Sequence, residues 1–90
     1  MARSRSEADE VDQQLKDLIA LMARGIVDRP DEVRVDILEP GEDAQFELGV
    51  DPDDLGHVIG KQGRTARALR LALGAAAGRR DRQASLEIAD

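Results

Sequence analysis

The sequence predicts an α+β fold in which three helices pack against a mixed three-stranded sheet, in the order αββααβ. Three observations support this fold class. Apolar residues recur at helical spacing in the first third of the chain, and they alternate at period two in three short segments. Two further helical patterns, joined by a turn with two glycines, lie between the second and third of those segments. A right-handed crossover there makes the last two strands parallel.

The first helix is predicted to follow a polar tail. Residues 1–10 carry hardly any apolar side chains, so burial cannot offset the entropy of ordering them. We therefore expect a disordered tail over residues 1–10 and a single domain over residues 11–90. Apolar residues at three- and four-residue steps then place one face of a helix against the core, ending before Pro30: Val11, Leu15, Leu18, Ile19, Met22 and Ile26.

Three strands follow from alternating apolar residues. The sets are Val33, Val35 and Ile37, then Phe46, Leu48 and Val50, and finally Ala84, Leu86 and Ile88. Residues 39–43, Glu-Pro-Gly-Glu-Asp, supply turn residues between the first two sets. The first two strands should therefore pair as an antiparallel hairpin.

The sequence indicates where the first of the two central helices begins and where it ends before the second. Asp51 is an expected N-cap, with Pro52 at the first helical position and two more carboxylates behind it. The buried stripe of this short helix is predicted to be Leu55, Val58 and Ile59, and the helix stops at Gly60. The next helix runs from Arg64 to about Gly78, with Ala66, Leu69, Leu73 and Ala76 on its core face.

Composition excludes several classes of protein. The chain of 90 residues has no cysteine, so it has no disulfide framework, thiolate zinc site or cysteine nucleophile. No apolar run approaches the roughly 20 residues of a membrane span, and we expect a cytoplasmic protein. No paired acid and base, metal cluster or nucleophile stands out, so we predict no catalytic residue, metal, cofactor or small-molecule substrate.

The charge distribution nevertheless favours an anionic partner. The net charge is −6, but residues 56–82 hold seven basic residues against one acid, which gives that segment +6. A basic face on an acidic body is expected, and local potential rather than net charge governs an anionic ligand.

The turn Gly60-Lys61-Gln62-Gly63 is the strongest candidate site. Glycines let a phosphate backbone approach the main chain, and the following helix N-terminus adds partial positive charge. Lys61 offers an ammonium to phosphate, and Gln62 a hydrogen bond. A Walker P-loop is excluded, because three residues rather than four separate Gly56 and Gly60, and Gln62 stands where Ser or Thr belongs.

The segment Val58-Ile59-Gly60-Lys61-Gln62-Gly63 resembles the VIGxxG signature of the KH domain, and the αββααβ order is similar to the type II form of that domain. The resemblance runs from about Val11 to Ile88 and extends to the small bacterial single-KH proteins of the KhpA family. The chain departs from the signature at Ala66, where isoleucine is usual. KH turns clamp about four nucleotides of single-stranded RNA.

The resemblance implies an RNA-binding protein that acts as an RNA chaperone or post-transcriptional regulator. It also implies that the protein self-associates or pairs with a larger KhpB-like KH protein. Effects on cell shape and peptidoglycan homeostasis are implied as well. The expected RNA-binding residues are Gly56, His57, Ile59, Gly60, Lys61, Gln62, Gly63, Arg64 and Arg67. Gly56 would let bases lie flat against the preceding helix. His57 either touches phosphate or ribose or is an exposed bystander, and a lone histidine for which we expect no acid–base partner is poor evidence for catalysis.

A second surface is expected on the helix after the turn. Four small or apolar residues fall on the side turned away from the core: Ala68, Leu71, Ala72 and Ala75. They predict a dimer contact, because Leu71 would otherwise stand exposed. High helix propensity alone would also explain the alanines.

Three function classes therefore remain. The first is a non-catalytic RNA-binding protein, with low sequence specificity because Phe46 is the only aromatic residue. The second is a protein-interaction adaptor with incidental RNA contact. The third, an enzyme, is remote.

Overall fold

The computed structural model describes the backbone of residues 2–90 and the side chains of residues 10–90. The helices are α1 (Ala2–Arg24), α2 (Leu55–Ile59) and α3 (Arg64–Gly78), and the strands are β1 (Arg34–Glu39), β2 (Asp43–Gly49) and β3 (Gln83–Ile88). Single 3₁₀ turns occupy Pro30–Glu32, Pro52–Asp54 and Lys61–Gly63. The disordered tail predicted for residues 1–10 falls almost wholly outside the residues with described side chains, and it stays a prediction.

The sheet has the predicted mixed topology. Its strand order is β1-β2-β3, with β1 antiparallel to β2 and β2 parallel to β3. The antiparallel pair is the predicted hairpin, and the parallel pair is joined by the crossover that contains α2 and α3. The α+β fold class with a mixed three-stranded sheet and three helices is therefore confirmed.

The core lies between the helices and one face of the sheet. Phe46 and Leu48 of β2 are fully buried, as are Ile19 of α1, Leu73 of α3 and Val58 of α2. Burying side chains of this size stabilises the fold by about 1.5–3 kcal/mol each. The short α2 is thus held by a single fully buried side chain, and its orientation depends on that contact.

Some element details differ from the sequence prediction. Val33 is buried but precedes β1, and Leu38 stands 45% exposed because it lies on the outer side of the strand. On α3 the fully buried alanine is Ala77, whereas Ala76 only borders the core. None of the described helices combines the length and apolarity that a bilayer span needs.

A buried ion pair ties α1 to the β1–β2 turn and to the residue before β3, which lie at the same end of the sheet. Asp12 of α1 is 1% exposed, and its Oδ1 accepts a 2.8 Å hydrogen bond from Nη1 of Arg82. Gly41 N–H, in the β1–β2 turn, also points at this carboxylate, and Arg82 Nη1 reaches the Gly41 carbonyl at 3.3 Å. Arg82 is therefore a structural residue, although it is one of the seven basic residues of segment 56–82 from which a basic face was expected.

The outer face of the sheet is acidic at its centre. Asp36, Glu47 and Glu87 are register partners on the three strands, so their carboxylates form a row across the sheet. This row lies on the face opposite the buried Val35, Phe46 and Leu86. The helices cover one face only, and this one remains open to solvent.

Candidate nucleic-acid interface

The two-glycine turn has a backbone shape that ordinary residues rarely adopt. Gly60 ends α2 at φ 76° and ψ 171°, and its N–H closes the helix on the Gly56 carbonyl at 2.8 Å. Gln62 and Gly63 follow with φ of 57° and 74°, both left-handed. Two successive left-handed residues reverse the chain between α2 and α3, and Arg64 begins α3 at once.

Glycine is required at position 60 by packing as well as by conformation. A Cβ there would lie against the side chain of Thr65 and 2.8 Å from its backbone nitrogen. Backbone cannot move aside in the way that the end of a flexible side chain can. Gly60 therefore lets the first turn of α3 sit directly on the end of α2.

Gly56 and Gly63 leave space for another molecule. A Cβ at either position would meet nothing within 4 Å. Their missing side chains are therefore not explained by packing inside the protein. An incoming chain can approach the main chain at both points.

A groove of about 610 Å³ opens beside the turn. It is lined by Ile59, Gly63, Ala66, Arg67, Arg70 and Ile88. Apolar side chains and two guanidinium groups therefore border the same depression. Such a surface suits a ligand that carries both flat apolar faces and negative charge.

Ile59 lies on this groove and not in the core. Its side chain is 40% exposed, so the prediction of a buried Ile59 was wrong. Helix α2 has only five residues, and Val58 alone turns fully inward. Ala66 is 4% exposed and reaches the core beneath the groove, which it also lines.

Arg70 and Ile88 are groove residues that sequence reasoning did not place there. Arg70 Nε donates a 3.0 Å hydrogen bond to the Leu86 carbonyl, which fixes this side chain against β3. β3 is an edge strand, so Leu86 has a carbonyl to offer outside the sheet. The alternation that made Ile88 a core residue carried no signal that β3 would border an open groove.

Lys61, Gln62 and Arg64 project from the turn into solvent. Arg64 approaches the Gln62 amide oxygen at 3.5 Å, and the Lys61 side chain forms no ion pair with the described residues. These donors remain accessible to a ligand.

His57 stands apart from the groove. Its Nε2 lies 3.5 Å from Asp28 Oδ2 and 4.0 Å from Asp54 Oδ1. The expectation that His57 has no acidic partner was therefore wrong. Asp28 lies 29 residues earlier in the chain, and spacing alone gave no sign of the contact.

The predicted dimer residues lie on the outer side of α3. Ala68 and Ala75 are exposed, Leu71 is 70% exposed, and Ala72 is half-buried. The buried residues Leu69 and Leu73 face the opposite way. A smooth, largely apolar strip therefore follows the helix.

The chain is similar to known proteins over most of its length. Residues 16–88 match the family described as the KhpA/KhpB KH domain. The chain is 49% identical over 76 residues to the RNA-binding protein KhpA of Halalkalibacterium halodurans, covering 84% of this chain and all of that protein. It is 49% identical over 74 residues to the RNA-binding protein KhpA of Aquifex aeolicus, covering 82% and 94%. The RNA-binding protein KhpA of Mycobacterium tuberculosis H37Rv is 49% identical over 63 residues, covering 70% and 79%.

Proposed function

The chain belongs to the KhpA/KhpB family of KH domains, and from this premise we propose that it is a non-catalytic protein that binds single-stranded RNA through the Gly60–Gly63 turn. The observation that carries the proposal is the open space at Gly63, which lines a groove bordered by Arg67 and Arg70. The side of α2 is also open at Gly56, close to the turn in the chain. The sugar–phosphate chain would pass the turn, and bases would lie in the groove.

The proposed contacts with RNA are of two kinds, those to phosphates and those to bases. Lys61, Arg64 and Arg67 supply positive charge to phosphates, with a hydrogen bond from Gln62. Ile59 offers an apolar wall to the bases, and Gly56 leaves the side of α2 flat. Phosphate contacts carry no sequence information, so binding is expected to be salt-dependent and weakly specific.

The test reverses the charge of the turn. In a Lys61→Asp/Gln62→Asp variant, both substituted side chains are exposed, so the fold should remain intact while carboxylates repel phosphate. Affinity for a fluorescent single-stranded oligoribonucleotide at low salt should fall about tenfold or more. Fluorescence anisotropy measures the affinity, and circular dichroism verifies the fold.

A control variant distinguishes the effect of charge at the turn on RNA affinity from the effect of the protein's net charge. Gln13→Asp/Arg24→Asp makes the same charge change on exposed positions of α1. This variant should bind RNA nearly as well as the unaltered protein. Equal losses in both variants, or no loss in the first, would count against the turn as the RNA site.

We further propose that the protein works as a dimer, with a second copy or with a KhpB-like KH protein. The supporting observation is Leu71, 70% exposed in a strip of small residues that lets another helix approach closely. In this form it would serve as an RNA chaperone or post-transcriptional regulator in the cytoplasm, with effects on cell shape and the cell wall. The alternative, an adaptor with incidental RNA contact, predicts that the turn variant keeps its partner and its cellular activity.

A matched pair of leucines tests the dimer surface. Leu71 of α3 and Leu21 of α1 are 70% and 69% exposed, so glutamate at either position costs the monomer little. Leu71→Glu should yield a folded monomer by sedimentation equilibrium, because the dimer would bury its charge. Leu21→Glu should keep the mass of the parent protein. A dimeric Leu71→Glu protein would eliminate this surface.

A further inference from the structure

Two carboxylates are buried in the described part of the chain, and they are neutralised differently. Asp12 and Asp54 are each 1% exposed. Asp12 has the guanidinium of Arg82 at 2.8 Å, whereas no lysine or arginine of residues 10–90 lies within ion-pair distance of Asp54. A buried charge is costly unless a positive charge compensates it. Asp54 thus lacks the strong cationic partner that Asp12 has.

The side chains around Asp54 are of the kinds that can ligate a metal ion. Asp28, Asp54 and His57 each offer one ligand atom, and these atoms all lie within 4.8 Å of one another. His57 Nε2 is 3.5 Å from Asp28 Oδ2 and 4.0 Å from Asp54 Oδ1. In a tetrahedral zinc site with bonds near 2.1 Å, neighbouring ligand atoms are about 3.4 Å apart. The distance between His57 and Asp28 already matches this spacing, whereas the other ligand atoms, which lie up to 4.8 Å apart, must move closer together around an ion.

The backbone holds the cluster together while leaving its outer ligands adjustable. Asp54 Oδ1 and Oδ2 accept hydrogen bonds from the backbone nitrogens of Asp28 and Arg29, at 3.1 and 3.0 Å. Such bonds orient a ligating carboxylate. The side chains of His57 and Asp28 are 52% and 79% exposed, so both can rotate towards a cation.

The nearest arginine does not compete with a metal. Arg29 directs its guanidinium to Asp51 and Asp53, at 3.7 and 3.6 Å. Its charge is therefore engaged outside the cluster. The cluster itself keeps two carboxylates and an imidazole that no lysine or arginine of residues 10–90 pairs with.

We propose that Asp28, Asp54 and His57 form a binding site for a divalent transition-metal ion, with zinc the best match. An imidazole beside carboxylates suits zinc, whereas magnesium prefers oxygen ligands alone. Three protein ligands leave a coordination position for water. The bound ion would connect the segment before β1 to α2, the helix that leads into the Gly60–Gly63 turn. The proposal stands whether or not the turn binds RNA.

The test uses the untagged chain and zinc chloride alone. Isothermal titration should show one zinc ion bound per chain and magnesium bound at least tenfold more weakly. Zinc should also raise the melting temperature, because a ligand that binds only the folded state stabilises it. His57→Ala removes the only histidine of the chain and should weaken zinc binding at least tenfold.

A second variant guards against misfolding. Asp28 is largely exposed, so Asp28→Asn should fold normally and also weaken zinc binding about tenfold. Asp31→Asn, an exposed acid in the turn Pro30–Glu32, should bind zinc as the parent does.

Two results would overturn the proposal. Equal zinc affinity in the parent, His57→Ala and Asp28→Asn proteins would place the metal elsewhere. No zinc binding by the folded parent protein up to millimolar concentration would leave the cluster as an ion pair between His57 and the two carboxylates.

Discussion

Gly60→Ala should destabilise the protein by about 3 kcal/mol and abolish the shape of the turn. The residue sits at φ 76° and ψ 171°, a region that only glycine adopts readily. The new methyl group would also lie 2.8 Å from the Thr65 backbone nitrogen. Urea denaturation should show the loss, with a fall in melting temperature of about 15 °C for a domain of this size.

Two other glycines provide graded controls for this prediction. Gly63→Ala meets no neighbour within 4 Å but keeps the left-handed φ of 74°, so it should cost only about 1 kcal/mol. Gly56→Ala lies within α2, where its Cβ has open space, and it should leave stability unchanged or raise it by about 0.5 kcal/mol. Equal losses at positions 60 and 63 would show that the contact with Thr65 does not matter.

Arg82→Met should destabilise the protein by about 3 kcal/mol, because it leaves Asp12 charged and buried without its partner. The hydrogen bonds from Gly41 N to this carboxylate are long, at 3.3 and 3.4 Å, and cannot replace a guanidinium. Chemical denaturation at neutral pH measures the loss. Arg80→Met, at an exposed position on the same connection between α3 and β3, should stay within about 0.5 kcal/mol of the parent.

A double-mutant cycle isolates the ion pair itself. Asp12→Asn should cost less than Arg82→Met, because the Arg82 side chain is 14% exposed and can reach water. Adding Asp12→Asn to Arg82→Met should recover about half of the lost stability, since no buried charge remains. Strictly additive losses would mean that the two side chains contribute independently.

Local sequence signals predicted most of the fold. The three alternating strands, the stop at Gly60 and the restart at Arg64 all appear in the structure. The start predicted at Asp51 opens a 3₁₀ turn, and α2 itself begins at Leu55. Asp51 caps the turn Pro52–Asp54 by accepting from the Asp53 nitrogen at 2.9 Å. Each of these features depends on residues within a few positions of one another, so the sequence displays them directly.

The features that sequence reasoning missed depend on distant contacts. His57 contacts Asp28, which lies 29 positions away in the sequence, and Arg82 pairs with Asp12, which lies 70 positions away. Ile59 faces the groove because β3 returns beside α3 and leaves a depression there. Periodicity identifies an apolar side chain, but only the assembled tertiary structure decides whether it is covered.

The row formed by Asp36, Glu47 and Glu87 places three carboxylates side by side on the open face of the sheet. Like charges on directly opposed strands lower stability slightly. In exchange, the same row repels polyanions and discourages two sheets from stacking face to face. Three of the 19 acidic residues thus lie side by side on the open face of the sheet, where they disfavour adhesion of a negatively charged polymer.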